Sequence, residues 1–393
     1  MEKKNLTVRY ALIQTVFWIC GCCVLTYTTP LLQWRGFTNT EIGITLAAAS
    51  CLAIAVQPLV AAFADRTKKI SLNRLIVLMM VLLAVLSLIS ALVPGIFWAT
   101  AGLSVVISML VRMQNSLLVS LSSEQIQSGG RLNFSLARGI GSASYAIAAL
   151  IIGYVVDKAS PEVILPINIV GAVLTAGMIL LFPKPEVSAA KTEKAEEKPS
   201  SLLGFIRENK RFMATAVCFM LIYLSHVFIN SFTIQIVTSR NGSSAEMGIA
   251  SAIGGFVELP AMAMVPFLLK KLKRASSLLK IGTVAMVVKA LVTLFSPNLG
   301  WFYAAQSLQS CAYALLLPGC VYYVNRMIPG KDKVKGQSLL DTSIVVTSVA
   351  GSVLGGIFLD MKSVDFMMTV GTVVSAIGAV LLFFVIEDDK AEE

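Results

Sequence analysis

KTEKAEEKPSS, residues 191–201, is the stretch that decides how the rest of the chain is read. It is charged, rich in Ala, Lys and Glu, lacks an apolar face, and has the character of a cytoplasmic linker. Outward from it the composition inverts. Upstream lie six apolar runs, at about 8–33, 41–63, 72–93, 96–123, 132–157 and 162–182. Downstream lie six more, at about 211–238, 245–269, 275–296, 298–325, 335–360 and 364–386. A helix needs about 20 mainly apolar residues to cross the hydrocarbon of a bilayer. The expected fold is therefore an all-α integral membrane protein of twelve transmembrane helices in two six-helix bundles, 1–182 and 210–393, joined by a linker over 183–209.

Bulk composition agrees. Of 393 residues, 56% are hydrophobic and 14% charged, and the mean hydropathy is +0.79. Soluble domains carry about 25% charged residues. The balance excludes a disordered chain, a coiled coil, a disulfide-knotted secreted domain and an ordinary soluble enzyme. No HExxH, P-loop or GxSxG occurs, and there is one histidine, His226. Neither catalysis nor ATP-driven pumping is expected from such a chain, and no cofactor beyond a proton gradient. Cys20-Gly21-Cys22-Cys23 formally contains a CxxC. Without a nearby histidine in sequence, small thiols packing between helices are preferred to a metal or redox pair.

The net charge of +10 sits in short clusters between apolar runs, which is a topology signal rather than a nucleic-acid surface. Met1-Glu2-Lys3-Lys4 leads into a run too long for a signal-peptide core, so both termini are expected on one side. Of 32 basic residues, 25 fall in the termini and even-numbered loops, and only four (Arg35, Lys158, Arg240 and Lys362) in odd-numbered loops. That asymmetry puts both termini in the cytoplasm of a multi-pass cell-membrane protein. The three that remain, Arg112, Arg138 and Lys289, lie inside apolar runs. Intramembrane charges are costly and normally face a bundle interior or a water-filled cavity.

The two halves are alike. LARGIGSASYAIAALIIGYVVDKAS (136–160) lies over LLDTSIVVTSVAGSVLGGIFLDMKS (339–363), pairing Arg138 with Asp341, Gly153 with Gly356 and Asp157 with Asp360 at an offset of 203. Pro58 pairs with Pro260, and Lys68-Lys69 with Lys270-Lys271, at an offset of 202. An even number of spans per half implies a parallel repeat.

AAFADRTKK (61–69) resembles the loop signature of the major facilitator superfamily, G-x-x-x-D-R/K-x-G-R-K, with Asp65 and Arg66 matching and Ala61 and Lys68 in place of two glycines. That resemblance implies a gate at Asp65 and Arg66, which is preferred to simple capping of the next helix by Asp65. It also implies two bundles opening alternately around a central site. Within the superfamily the chain is similar to the lactose-permease, nucleoside and phenylpropionate proton symporters. RGFTNTEIG (35–43) with Gln57-Pro58 resembles their first loop and second span, and NFSLARGIGSASY (133–145) their fifth span. On that match Arg138 takes the sugar-binding arginine's place and Tyr145 that of an aromatic ring stacked on substrate. GGFVELPAM (254–262) places Glu258 on the group's essential glutamate, and GTVAMVVKALV (282–292) places Lys289 on its buried arginine. In the tenth span Gln306, Gln309 and Ala312 stand where the lactose carrier has Lys, His and Glu, so the resemblance leaves open how a proton would be released and does not imply lactose as solute.

Helical rise points the same way. At about 1.5 Å per residue, Glu258 lies about 15–18 Å and Lys289 about 20 Å from the cytoplasmic end of their helices. They are expected to pair. A carboxyl in low dielectric binds a proton more readily, a neighbouring ammonium opposes this, and a pair that comes and goes can therefore couple to protons. A static bridge is the plainer alternative. Arg138 either pairs with Glu124 or holds substrate through its guanidinium. Arg112, Arg138 and Lys289 against Glu258 and Asp341 leave a slight positive excess, which suits an anionic solute. Gln306, Gln309 and Tyr313 share a face of the tenth helix, and His226 and Asn230 are a turn apart on the seventh. These five, together with Arg112 and Glu124, are candidate solute contacts, with helix packing the alternative for the five.

The expected function is proton-coupled symport of a sugar, nucleoside or aromatic acid by alternating access, in a lipid-embedded monomer that binds no nucleic acid. Proton-driven efflux of amphiphilic compounds is one rival, although the fifth span lacks the proline of the efflux motif. A membrane sensor without transport is the other.

Overall fold

The computed structural model describes residues 6–66, 71–183, 202–328 and 330–389, with the backbone alone at 61–66, 202, 203 and 331. The 191–201 stretch and Lys68-Lys69 lie outside the described residues, as do the side chains of Asp65 and Arg66. The helices are α1 (Leu6–Leu25), α2 (Thr28–Trp34), α3 (Asn39–Arg66), α4 (Leu72–Leu92), α5 (Phe97–Gln127), α6 (Phe134–Lys158) and α7 (Ile164–Leu180). They continue with α8 (Leu202–Glu208), α9 (Lys210–Ser231), α10 (Thr233–Thr238), α11 (Ser244–Leu272), α12 (Ala275–Leu294), α13 (Leu299–Ser307), α14 (Tyr313–Met327), α15 (Lys333–Met361) and α16 (Val364–Val385). Among the described residues, eleven helical stretches are long and apolar enough to cross a membrane. The tenth apolar run is the exception, split into α13 and α14.

The chain divides into two units, Met1–Lys191 with Ser243–Ala252, and Thr192–Gly242 with Ile253–Glu393. In the first, α1 packs on α6 and α7, and α4 on α5 and α7; in the second, α9 packs on α15 and α16, and α12 on α14 and α16. The same relative helices therefore meet in both. Each unit has its own core, around Tyr10, Phe17, Met80 and Leu118 in one and Phe205, Leu278, Met286 and Leu382 in the other. Large apolar side chains such as Leu78, Leu92, Val173 and Phe384 remain on the outside, as lipid rather than water surrounds such helices.

The internal repeat extends to single hydrogen bonds. Thr28 Oγ1 donates to the Val24 carbonyl and Thr233 Oγ1 to that of Ile229, both marking the break after the first helix of their half. Gly36 (φ 83°) and Asn241 (φ 60°) adopt the left-handed turn that follows, one residue type free of a Cβ and the other tolerant of this region. Phe37 N–H then reaches back to Leu32 O at 3.0 Å, and Gly242 N–H to Val237 O at 2.9 Å. Two capping boxes start the next helices: Glu41 accepts from Thr38 N–H, and Glu246 from Ser243 N–H, each at 2.8 Å. All these pairs lie 205 residues apart.

The tenth run breaks where polar side chains crowd. Ser307 and Ser310 turn their hydroxyls onto the carbonyls of Tyr303 and Ser307, competing with the helix's own donors. A 3₁₀ turn, Leu308–Ser310, follows α13. Ala312 leaves the helical region at φ −90°, ψ −96°. At about 1.5 Å per residue neither the nine residues of α13 nor the fifteen of α14 can cross about 30 Å of hydrocarbon alone.

Candidate functional site

Among the described residues, each unit carries a cluster of polar side chains that includes charges set within its apolar helices. In the second unit, Gln309 sits in the 3₁₀ turn between α13 and α14. Its amide Nε2 donates to Glu258 Oε1 of α11 at 2.6 Å, and its Oε1 accepts from Lys289 Nζ of α12 at 2.5 Å. Lys289 is wholly buried, Gln309 nearly so, and Glu258 half-buried. Where the sequence suggested that Glu258 and Lys289 pair, the structure puts the Gln309 amide between them as a bridge. An amide suits the middle position because it presents a donor to the carboxylate and an acceptor to the ammonium. The helix break puts it there, by turning Gln309 out of the register a continuous helix would impose. The single helical face expected for Gln306, Gln309 and Tyr313 is corrected accordingly, since the three lie on α13, the 3₁₀ turn and α14. Gln306, 5% exposed, faces α11, with its Oε1 3.8 Å from where a Cβ on Gly254 would stand.

Beside the relay, His226 of α9 is buried and lies face to face with Tyr313, ring centroids 4.9 Å apart and 7° from parallel. Tyr223 packs on the same imidazole at 4.9 Å. Asn230, exposed and one turn on, bonds His226 Nε2 through its Nδ2 at 2.7 Å. Tyr223 and Tyr313 also line a small apolar pocket with Phe219, Ile222, Leu316, Leu340 and Ile344.

In the first unit, the Arg138 guanidinium lies 4.3 Å over the Trp18 ring, and its Nη1 donates to Ser142 Oγ at 2.7 Å. Trp18 stands edge-on to Tyr145, centroids 5.9 Å apart. Its indole N–H donates to Gln14 Oε1, Gln14 Nε2 to Tyr10 OH, and Tyr10 OH to Leu118 O. Tyr145 OH shares a short hydrogen bond with Thr26 Oγ1. Gly141 keeps this corner open, because a Cβ there would run into Trp18 Cδ1. Arg112 and Glu124, both on α5, are exposed. Asp341, also exposed, accepts from Gln337 Nε2 at 3.1 Å. Trp18 and Gln14 escaped the sequence reading. Their signal was a tryptophan, one of four in the chain, with an amide one turn before it in an apolar run. Among the described residues no group of three or more His, Cys, Asp or Glu gathers around a metal-sized space.

Known proteins bear on this arrangement. The family described as "MFS_1 like family" matches residues 9–370. A Deinococcus radiodurans protein bearing the name sugar efflux transporter is 25% identical over 183 residues, 46% of this chain and 46% of that protein. The match thus spans about half the length of that relative. Among solved structures, a point mutant of the nucleoside transporter NupG superposes with a TM-score of 0.85 at 15% identity, covering 98% of this chain and 100% of that one. A bacterial homologue of the human lysosomal transporter Spinster gives 0.72 at 14% identity (98% and 96% covered), and one of the iron transporter ferroportin 0.74 at 13% (98% and 99%). At such identities the likeness is one of fold.

Proposed function

Because this chain belongs to the MFS_1 like family of membrane carriers, we propose that it moves a small organic solute together with a proton by alternating access. The observation that carries the reading is the Glu258–Gln309–Lys289 relay. In it a titratable carboxyl at membrane depth is held to a buried ammonium through one neutral amide, a link that can be remade as the carboxyl gains and loses its proton. In this reading Glu258 takes the proton and Lys289 tunes it. Arg138 and Tyr145, with Trp18, hold the solute, and Asp65 with Arg66 gates. The solute classes are a sugar or nucleoside, in line with the names of the relative and neighbour above, or an aromatic acid, in line with the slight positive excess among the charges set in the apolar runs. In this reading the carrier works as a monomer in the cell membrane, and the distribution of Lys and Arg supports cytoplasmic termini.

A second reading, export in exchange for protons, draws on the efflux name of the Deinococcus relative. Both are tested by the pH of a weakly buffered suspension of de-energised expressing cells given sugars, nucleosides and aromatic acids. Alkalinisation on addition of one compound supports symport, and acidification supports exchange. Glu258→Gln abolishes uphill accumulation while leaving solute exchange measurable; full uphill transport by this variant would sink the coupling role.

A further inference from the structure

Three polar side chains on one face of α1 form a hydrogen-bonded column that the proton relay does not use. Tyr10, Gln14 and Trp18 are spaced four residues apart and so stack on successive turns. Trp18 Nε1 donates to Gln14 Oε1 at 2.9 Å, Gln14 Nε2 donates to Tyr10 OH at 2.8 Å, and Tyr10 OH donates to the Leu118 carbonyl of α5 at 2.8 Å. Both ends fix the direction of the column, because an indole nitrogen only donates and a backbone carbonyl only accepts. With the Gln14 amide turned over, two donors would face each other at Trp18, and Tyr10 OH would have to leave Leu118. Gln14 is 1% exposed and Tyr10 wholly buried, so water does not compete for these bonds.

The column ends under Arg138. Its guanidinium lies 4.3 Å over the Trp18 ring, and its Nη1 donates to Ser142 Oγ. A guanidinium is attracted to an aromatic face, more strongly where water is scarce. The indole is fixed on two sides. Gln14 holds its N–H edge, and the α6 backbone stands against it at Gly141, where a Cβ would lie 2.7 Å from Trp18 Cδ1 and 3.3 Å from Gln14 Oε1. Trp18, Arg138 and Tyr145 are all half-buried, so the column is sealed while the groups at its end are not. A long side chain that must be immobilised when a ligand binds weakens affinity by about threefold to tenfold. An arginine already laid on a fixed ring avoids that loss.

We propose that Gln14 is a positioning residue for solute binding: it locks the Trp18 indole, and the locked indole pre-places the Arg138 guanidinium for the solute. The proposal deepens the carrier reading and rests on its assignment of Arg138 to the solute. Gln14 acts only through Trp18 and Arg138.

The full chain is labelled with ¹⁵N-arginine, and the Arg138 Nε–H signal is identified by its loss in Arg138→Lys. An aromatic face shields that proton, so it is expected upfield of its position in Trp18→Leu. Gln14→Met, of equal length but without polar atoms, moves it downfield. Should that variant not fold, Gly141→Ala, which crowds the indole from α6, must give the same shift. A signal unmoved by freeing or crowding the indole overturns the positioning. Binding of uridine, phenylacetate and methyl β-galactopyranoside is then measured by calorimetry on the purified chain. For a probe whose binding Arg138→Lys weakens, Gln14→Met and Trp18→Phe each weaken binding about threefold to tenfold. The double variant loses no more than the worse single one, because a phenyl ring has no N–H for Gln14 to hold. Losses that multiply, or the absence of any probe that depends on Arg138, overturn the role. No proton gradient is present in these measurements, so failure of proton coupling in cells and failure of this assignment are read separately.

Discussion

A glutamine between a carboxylate and an ammonium works because its two ends differ, and at the scale of single residues that asymmetry is the centre of this protein. Gln309 donates to Glu258 and accepts from Lys289, so removing it strands the buried Lys289 ammonium. Gln309→Leu is expected to lower stability by about 1–3 kcal/mol. The loss should fall by more than half when Lys289 is also replaced by Leu, since contacting residues in one network do not act additively. Thermal unfolding of the four purified variants in one detergent measures this, and equal losses in both backgrounds would refute the relay. Glu258, Lys289 and Arg138 were legible in the sequence because a charge inside an apolar run is conspicuous. Gln309 was visible as a polar residue, but its partners were not, since they depend on a break in the helix. Trp18 was overlooked because a tryptophan in a membrane helix looks like any other apolar residue until a guanidinium is found over its face.

At the scale of elements, the two halves secure equivalent helix ends with the same device. The Arg35 Nη2 donates to the Ser90 carbonyl at the end of α4, and that of Arg240 to the Thr293 carbonyl at the end of α12. Glu162 grips Arg35 at 2.7 Å, and Asp365, 203 residues on, acts on Arg240 against the effect of its burial, which lowers the guanidinium's proton affinity. In the sequence these arginines counted only as loop charges, because nothing local shows that a loop side chain folds back over a helix end. Arg35→Lys keeps the charge but loses the fork, and should cost about 1–3 kcal/mol, more than Arg240→Lys, whose acid partner is exposed; thermal unfolding of both variants decides. A second element-scale device is the tail after α16. Asp389, fully buried, accepts from the Ala275 and Ser276 N–H groups at the start of α12, each at 2.8 Å, and from Arg326 at 3.0 Å. Burial works to raise its proton affinity, but these donors prevail and hold the carboxyl below its ordinary 3.8. With the folded value below the unfolded one, the contribution is complete above about pH 3.8 and is lost as pH falls through the folded value. Asp389→Asn should lower the unfolding temperature at pH 7 and flatten its decline below pH 4. An unchanged acid limb would refute the role.

At the scale of the whole molecule, α11 is shared, with Ser244–Ala252 in the first unit and the remainder, including Glu258, in the second. Its first part approaches α6 through glycines, as a Cβ on Gly153 would overlap the Ser244 carbonyl and one on Gly248 that of Ala149. Gly248→Leu should therefore force α11 from α6 at a cost of about 1–3 kcal/mol, read as a lower unfolding temperature together with impaired uptake; wild-type values for both would show that the crossing yields freely. The number of apolar runs, the repeat between halves and the charges set among apolar residues were all readable from the chain. Each reflects transfer from water to lipid, which is counted residue by residue and needs no knowledge of neighbours. The splitting of the tenth run, the placing of Gln309 between Glu258 and Lys289, and the sharing of α11 were decided by tertiary structure. Hydrogen bonds at about 3 Å depend on how helices end and cross, and one-dimensional hydropathy carries no record of that.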